Sequence, residues 1–580
     1  MQLIKRHFFL RFSCICTMGL LLISASLKVS PTSAQRAPQP PRELRPALGF
    51  APLVLQDGTI EHYYTEGDYG TQVLMCIRSR DSGETWSAPD RVFPLPAEGR
   101  WFGRGAQPLI DREGNLHLFF LDLNVSSLKM DTWHARLTPK SGAWSKLQRV
   151  CPSGPQNPPI QLRSGRIIVP IGYYFRDDIW NDPIPRSEIT TYYSDDSGES
   201  WHRSPDTLVV RAPESYHGLG VGGHEPVIVE LKDGKIWMLI RTQMGWLYES
   251  FSKDGLGWSE PQATRFRAPD APGSIVRLPS GELVLFWNNN DIPSPVDGRW
   301  IYTGRDALHA AISEDDGKTW RGFREVYLDP FRNEIPPETG DRGTAYPHAA
   351  ATPNGQIILS SGQGKGRHKL FRVNPAWLYE THHEDDFSRG LDGWSVFKSY
   401  GPVSGYRRKR IAGAQRIPHP SRAGAWVLHQ RRPDEKTGDG ATWNFPTGRS
   451  GRLTLRILVR KGFGGGLITL TDRFIYPSDA DLSKVVFTLP VGADGSLGDG
   501  AKLEFDRWHT LEMAWRVELD PPQGGWPGRC IVSMDGREVA TRPQLNRARS
   551  GLSYLRLHST APTIDKAGFL IERVSADLDP

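Results

Sequence analysis

Charged and titratable side chains stand at the ends of short apolar runs in this chain. In HEPVIVELKDGKIWMLIRTQMGWLYESFS, Glu225 opens one alternating run and Arg241 ends the next, with a Lys-Asp-Gly turn between them. The pattern predicts three strands, VIVEL, IWMLIR and WLYESFS, joined by tight turns and charged at their ends. Further candidates are Arg305 in GRDALHAAISEDDG, with Arg299 nearby as its competitor, and Tyr346 and His348 in DRGTAYPHAAATPNG. Glu66 and Asp68 lie in YYTEGDYGTQVLMCIRSRDSG, Arg104 in WFGRGAQP, Asn157 in PQNPPI, and His217 and His224 in SYHGLGVGGHEP. Positioned carboxylates suit proton transfer, and arginines gathered in one pocket hold an anionic small ligand. The plain alternative is solvated strand-end charge and turn-forming Asp. The two histidines lack a third ligand of suitable spacing, so neither a metal nor another cofactor is expected.

A repeat must position these residues. Ser-x-Asp-x-Gly-x-x-Trp occurs as SRDSGETW from Ser79, SDDSGESW from Ser194 and SEDDGKTW from Ser313. SKDGLGW from Ser252 is one residue shorter, and TPKSGAW from Thr138 is a decayed copy. They recur at intervals of about 55–60 residues, a period of stacked or radial repeats. The Asp carboxylate accepts backbone N–H groups inside the turn, Gly takes a positive φ, and Trp plugs between neighbouring sheets.

These turns are Asp boxes, and the chain resembles the Asp-box β-propellers. Five boxes and one unboxed repeat imply six four-stranded blades over residues 45–382, after a linker at 35–44. The last blade is expected to close on a strand near Ala51 to Leu55. Beyond Glu380 the box period stops while strand patterns continue, as in GRLTLRILVRKG and CIVSMDGREVA. Residues 384–580 resemble the concanavalin-like jelly-roll modules often attached to glycoside hydrolases. The expected fold class is therefore all-β, a six-bladed propeller followed by a β-sandwich.

The propeller half resembles the sialidases and their wider family. In that family an arginine triad clamps the substrate's carboxylate, a Tyr activated by Glu is the nucleophile, and an Asp is acid and then base. The resemblance makes Tyr346 the nucleophile, Glu225 its base, Asp68 the acid/base, and Arg241 and Arg305 clamp arginines. It offers Arg104, Asn157 and His224 as further substrate contacts. The first blade departs from the family. ALGFAPLVL has Leu48 or Phe50 where the first clamp arginine belongs, with Arg42, Arg45 and Arg104 nearby in sequence.

Composition bounds the rest. The 580 residues exceed one hydrophobic core, so two domains are expected. A net charge of +6 comes from 71 basic and 65 acidic residues without a basic run, which excludes a nucleic-acid partner. Residues 1–34 carry a positive start, the apolar CICTMGLLLISASL and a Thr-Ser-Ala cleavage site, so export to a periplasm or beyond the cell is expected, with no stable membrane span afterwards. After cleavage Cys76, Cys151 and Cys530 remain, an odd and scattered set that makes no disulfide framework.

Three functions fit this pattern. The first is a secreted, retaining exo-glycosidase of the sialidase type acting on terminal sialic acid or a related acidic sugar of a glycan. The second is a propeller glycosidase for a uronic or neutral sugar. The third is a non-catalytic glycan-binding protein, favoured by the missing first arginine.

Overall fold

The structure is a computed structural model that describes residues 38–580 apart from 69–70, 96–99, 125–129, 154–156, 174–187, 212–221, 292–303, 334–342, 405–406, 499, 520–527 and 580. The expected signal segment, His217 and Arg299 lie outside the described residues.

Six antiparallel sheets follow one another between Arg42 and Val373. The first runs Pro52–Val54, Ile60–Glu66, Val73–Ser79, Asp90–Pro94. The fourth runs Gly223–Glu230, Ile236–Thr242, Trp246–Ser252, Gln262–Arg267, and the fifth Ser274–Arg277, Leu283–Trp287, Ala307–Ser313, Arg321–Leu328. The sixth takes His348–Ala351, Ile357–Ser361 and Lys369–Val373, and its outermost strand comes from the other end of the chain, Arg42–Pro46.

Apolar layers between successive sheets close the ring. Leu74 meets Phe102 between the first and second sheets, and Phe119 joins Val169 between the second and third. Ile168 and Met238, Leu239 and Leu285, and Phe286 and Leu359 continue the series. Ile358 and Ile60 complete it between sixth and first. The protein is a six-bladed β-propeller followed by a second all-β region. Radial repetition leaves only the short edges of the individual sheets.

One expectation needs correction. The segment near Ala51 to Leu55 does not close the last blade; Pro52–Val54 begins the first sheet, and Arg42–Pro46 is the closing strand. RELRP is a largely exposed edge strand, so it lacks the apolar alternation that marks a strand in sequence, and it had been assigned in part to a linker.

Each Asp box joins the third strand of a sheet to the fourth. In the box from Ser313, Asp315 accepts from the Thr319 amide at 2.8 Å and from the Thr319 hydroxyl at 2.6 Å. Gly317 has φ +88°, and the Trp320 indole donates to its carbonyl at 2.8 Å. The boxes thus occupy one edge of the ring. The opposite edge carries the starts of the first strands and the links from second to third strands, which is where Glu225, Arg241, Arg305, Tyr346 and Asp68 fall.

After a short 3₁₀ turn at Pro375–Tyr379, His382–Asp385 enters the larger of two further antiparallel sheets by pairing with Asp565–Leu578. The two sheets enclose a core that includes Trp394, Trp443, Phe445, Trp515 and Phe569. This sandwich packs against the fifth sheet through Phe397, Phe474, Tyr476 and Tyr554 around Ala307. Arg410 pairs with Asp306 at 2.5 Å, and Arg473 with Asp291 at 3.1 Å. Inside this junction the Tyr554 hydroxyl donates to Glu325 at 2.7 Å and meets His309 Nε2.

Burial pushes the Glu325 carboxyl up to about 7. A carboxyl that holds its proton more tightly when folded than when unfolded loses stability as pH rises between the two values. Glu325→Gln is therefore expected to become more stable relative to the native protein between about pH 5 and about pH 8. Urea unfolding across that range checks this, and parallel curves would refute it.

Candidate active site

Glu225 is the third residue of Gly223–Glu230, at a bulge where the pairing register with Ile236–Thr242 shifts. Its φ is +49°, a left-handed conformation uncommon outside glycine. Asn157, buried, donates from one amide to the carbonyls of Glu225 and Pro226, both at 2.9 Å, and so braces this turn. Tyr346 also is left-handed, φ +60°, just before the first strand of the sixth sheet. Its segment is tied down by Thr344 donating to the Arg305 carbonyl at 2.7 Å and by paired bonds between Gly343 and Gln363 at 3.0 and 2.8 Å. Gly343 has φ +123°, and a Cβ there would lie 2.1 Å from the Arg305 carbonyl oxygen, so only glycine fits. Strained backbone at two facing residues is a mark of a functional site.

The two side chains meet. The Tyr346 hydroxyl donates to Glu225 Oε1 at 3.1 Å. Arg241 Nη1 donates to the Tyr346 oxygen at 2.9 Å and also to Glu225 Oε2. Arg241 Nε donates to Asp270 Oδ1 at 2.7 Å, and Gln243 Nε2 to Asp270 Oδ2 at 3.1 Å. Arg305 binds the Asp270 carbonyl oxygen through Nε at 3.1 Å and through Nη2, and donates to Gln363 Oε1 at 2.6 Å. The guanidinium carbons of Arg241 and Arg305 stand 5.9 and 5.5 Å from the Tyr346 ring centre. Residues from three blades, 121 positions apart at the extremes of the Tyr346–Glu225 bond, form one cluster.

Residues 104–359 match the family model of the BNR repeat-like domain. Among curated proteins, none matches the chain. Among solved structures, Trypanosoma rangeli sialidase is similar over 92% of this chain and 91% of its own, at 13% identity and a TM-score of 0.35. The NanB sialidase of Streptococcus pneumoniae is similar over 59% of this chain and 71% of its own, at 13% identity and a TM-score of 0.41. The intramolecular trans-sialidase of Ruminococcus gnavus is similar over 58% of this chain and 98% of its own, at 15% identity and a TM-score of 0.38. Overlays this loose transfer no residue role to the present chain.

The remaining candidates separate. His224 is buried and lies 3.5 Å from Asp270 Oδ1, and Asn157 is spent on the Glu225 turn. Asn157 thus braces the Glu225 turn, and His224 lies beside Asp270. Arg104 lies on Arg100–Ile110, and its side chain is outside the described residues. Asp68 is exposed on the link between the second and third strands of the first sheet, at the same edge as Arg241, and among the described residues no hydrogen bond joins it to the cluster. Arg42 and Arg45 do not replace the missing arginine: Arg42 pairs with Glu84 at 2.7 Å and Arg45 stacks on Trp86 at 5.4 Å, both on an Asp-box turn. Phe50 takes the inward position instead, and Leu48 is exposed.

Asp270 and Gln363 escape the sequence pattern. The signal for Asp270 is its place in RAPDAPG, on the segment leading into a first strand, as Tyr346 is in the sixth sheet.

Burial alone would push the Glu225 and Asp270 carboxyls up. The Arg241 charge, with His224 adding to it, more than reverses this and holds Glu225 below its ordinary value and Asp270 well below it. Such carboxylates contribute stability that is present above their unfolded values, roughly 4, and is lost as pH falls through the lower folded ones. Arg241→Met leaves two buried carboxylates without their partner and is expected to cost about 3–5 kcal/mol at neutral pH. The deficit should shrink on acidification as both carboxyls protonate. Urea unfolding at neutral and acid pH checks this; a deficit independent of pH would mean that neither group is ionised.

Proposed function

We propose that this protein is an exported, retaining exo-glycosidase that cleaves a terminal acidic sugar, sialic acid or a relative, from a glycan. The single observation that carries the reading is the shared contact of Tyr346 with Glu225 and Arg241. A phenol is a weak nucleophile until it loses its proton. Moving that proton from the Tyr346 oxygen to Glu225 Oε1 exchanges one anion for another beside the same Arg241 nitrogen, so the guanidinium keeps its counter-charge throughout. The freed oxygen then attacks the anomeric carbon as the bond to the leaving oxygen breaks. In this reading Asp68 protonates that oxygen, and afterwards takes a proton from the water that releases the sugar.

A tyrosine in place of the usual carboxylate nucleophile makes sense where the substrate holds an anion at the reacting carbon, because two carboxylates would repel. Arg241 and Arg305 are the cations that would face that anion. The division of labour places hydrolysis in the propeller, about residues 45–382, with the sandwich, about 384–580, attached to its fifth blade. Among the described residues no helix is long and apolar enough to cross a membrane.

A second reading, a uronic or neutral sugar, has one observation in its favour: Phe50 lines the pocket where the resemblance calls for an arginine.

Tyr346→Phe keeps the ring and removes the nucleophilic oxygen. It is expected to lower kcat on an activated aryl glycoside by at least about a thousand-fold without lowering the thermal midpoint. A panel of aryl sialosides, uronosides and neutral glycosides identifies the sugar. Full activity in Tyr346→Phe would end the mechanism, and turnover of neutral glycosides alone would select the second reading.

A further inference from the structure

Trp246 opens the third strand of the fourth sheet, at the edge of the ring that carries the site, and stands in register with Arg267 on the fourth strand. The Arg267 guanidinium carbon lies 3.7 Å from the Trp246 ring centre, and that of Arg549, from the sandwich, lies 4.4 Å from it. A third guanidinium, Arg473 of the sandwich, acts on Arg267 at close range. The nearby carboxylates are turned towards Arg473: Asp291 accepts from its Nε at 3.1 Å and Asp472 from its Nη1 at 2.7 Å. Asp472 also accepts from the Arg549 amide at 3.1 Å. Arg267 is different. Its side chain makes no hydrogen bond or ion pair among the described residues, and its Nε is sealed from solvent and unpaired.

Three guanidiniums against two carboxylates leave one positive charge in excess, and it falls on Arg267. Burial, with the Arg473 and Arg549 charges adding to it, pulls Arg267 down to about 10, so it stays charged at neutral pH but at a cost. Stacking on Trp246 offsets part of that cost. A cation without a carboxylate, beside two of its own kind, is still the reverse of what stability alone selects. Arg267 is half-buried, and with Nε sealed its reachable part is the terminal pair of nitrogens, a planar fork that suits an oxyanion. Three steps along the chain lies Asp270, whose carbonyl holds Arg305 and whose carboxylate holds Arg241. Three steps span at most about 11 Å between Cα atoms, so this charge and the clamp arginines belong to one mouth at the scale of an oligosaccharide.

We infer that Arg267 and Arg549, stacked on Trp246, form a second anion site, which takes a sulfate or carboxylate group carried by the part of the glycan next to the sugar that is cleaved. The placement rests on the proposed glycosidase reading. Arg241 and Arg305 read the terminal sugar, and Arg267 reads what that sugar is attached to. The terminal nitrogens of Arg267 supply the directed bonds and Arg549 adds charge, so the sandwich takes part in choosing the substrate. Keeping an unpaired cation in the free protein then has a use, because its partner arrives with the ligand.

Kinetics on the full chain test this with the hydrolysed sugar linked either to lactose or to lactose sulfated at galactose O6. The ratio kcat/KM should favour the sulfated glycan roughly ten-fold or more, a comparison that needs no variant to fold. Arg267→Met keeps an apolar stem on Trp246 and should remove the preference while leaving kcat/KM on the unsulfated glycan unchanged. Its thermal midpoint should not fall, since the side chain removed is an unpaired cation. Arg267→Lys restores the charge without the fork and should recover only part of the preference. Calorimetric titration with the free sulfated lactose, lactose and inorganic sulfate at one ionic strength is the arm that needs no turnover. The sulfated lactose should bind more tightly than either of the others, and Arg267→Met should abolish the difference. Equal kcat/KM on the two glycans, a preference that survives Arg267→Met, or a loss that only tracks a lowered midpoint overturns the inference and leaves the glycosidase standing. Inorganic sulfate binding as tightly as the sulfated lactose would make this a site for a free oxyanion and overturn its assignment to the glycan. Arg267-dependent binding of the sulfated lactose without turnover of any glycoside would keep the second site and end the glycosidase reading. Neither binding of the sulfated lactose at millimolar concentration nor turnover would overturn both.

Discussion

One guanidinium joins the parts of this site. Arg241 is 6% exposed and holds Glu225, Asp270 and the Tyr346 hydroxyl at once. A buried cation is tolerable only when paired and hydrogen-bonded, so the three acceptors are as necessary to the fold as to any chemistry. They come from the bulged first strand of the fourth sheet, from the link to the fifth, and from the entry to the sixth. Placing them there requires the left-handed backbone at Glu225 and Tyr346, and the surrounding braces hold that strain: the Asn157 amide on one side, the Gly343–Gln363 pairing on the other. The direction of dependence is from charge balance to backbone.

The ring separates two tasks by edge. The Asp boxes occupy the links between third and fourth strands, where the turn at Asp315 is satisfied within itself and Trp320 fills space between sheets. The other edge gathers strand starts, where residues from every blade face a common axis. The sandwich binds the fifth sheet and reaches this second edge, since Asn289 and Asp291 share backbone bonds with Phe474. Tyr554 of the sandwich, with Glu325 and His309 of the fifth sheet, makes that junction polar inside an aromatic setting, so the packing there fixes one orientation as well as covering apolar surface.

Much of this was legible in the sequence. A repeated turn with a local physical cause reports a ring of sheets without any long-range information, and the Glu225–Arg241 hairpin shows its strand ends in eighteen residues of alternation. Tyr346 and Arg305 were pointed to by the resemblance of their segments to the sialidases, and the structure brings all four together. Asp270 and Gln363 were not legible, because a connecting-loop carboxylate and a strand-end amide acquire meaning only from what packs on them. The contacts of Asn157 with the Glu225 turn and of His224 with Asp270 were not legible for the same reason. The closing strand at Arg42–Pro46 was hidden because an exposed edge strand needs no apolar alternation.

The charge count at the mouth bears on what the pocket selects. Two guanidiniums, Arg241 and Arg305, stand with two carboxylates, Glu225 and Asp270, and the first sheet adds Phe50 rather than a third cation. At an effective dielectric constant of about 20, unit charges about 5 Å apart interact by about 3 kcal/mol, so attraction to the guanidiniums and repulsion from the carboxylates largely cancel for an entering anion. Net field is then a poor source of affinity in this pocket. Selection has to come from direction: planar N–H groups that reach the ligand's oxygens at hydrogen-bond distance while the carboxylates stay engaged behind them. It follows that replacing Arg241 or Arg305 by lysine removes more than its unchanged charge would imply, because a point cation restores the field and not the fork.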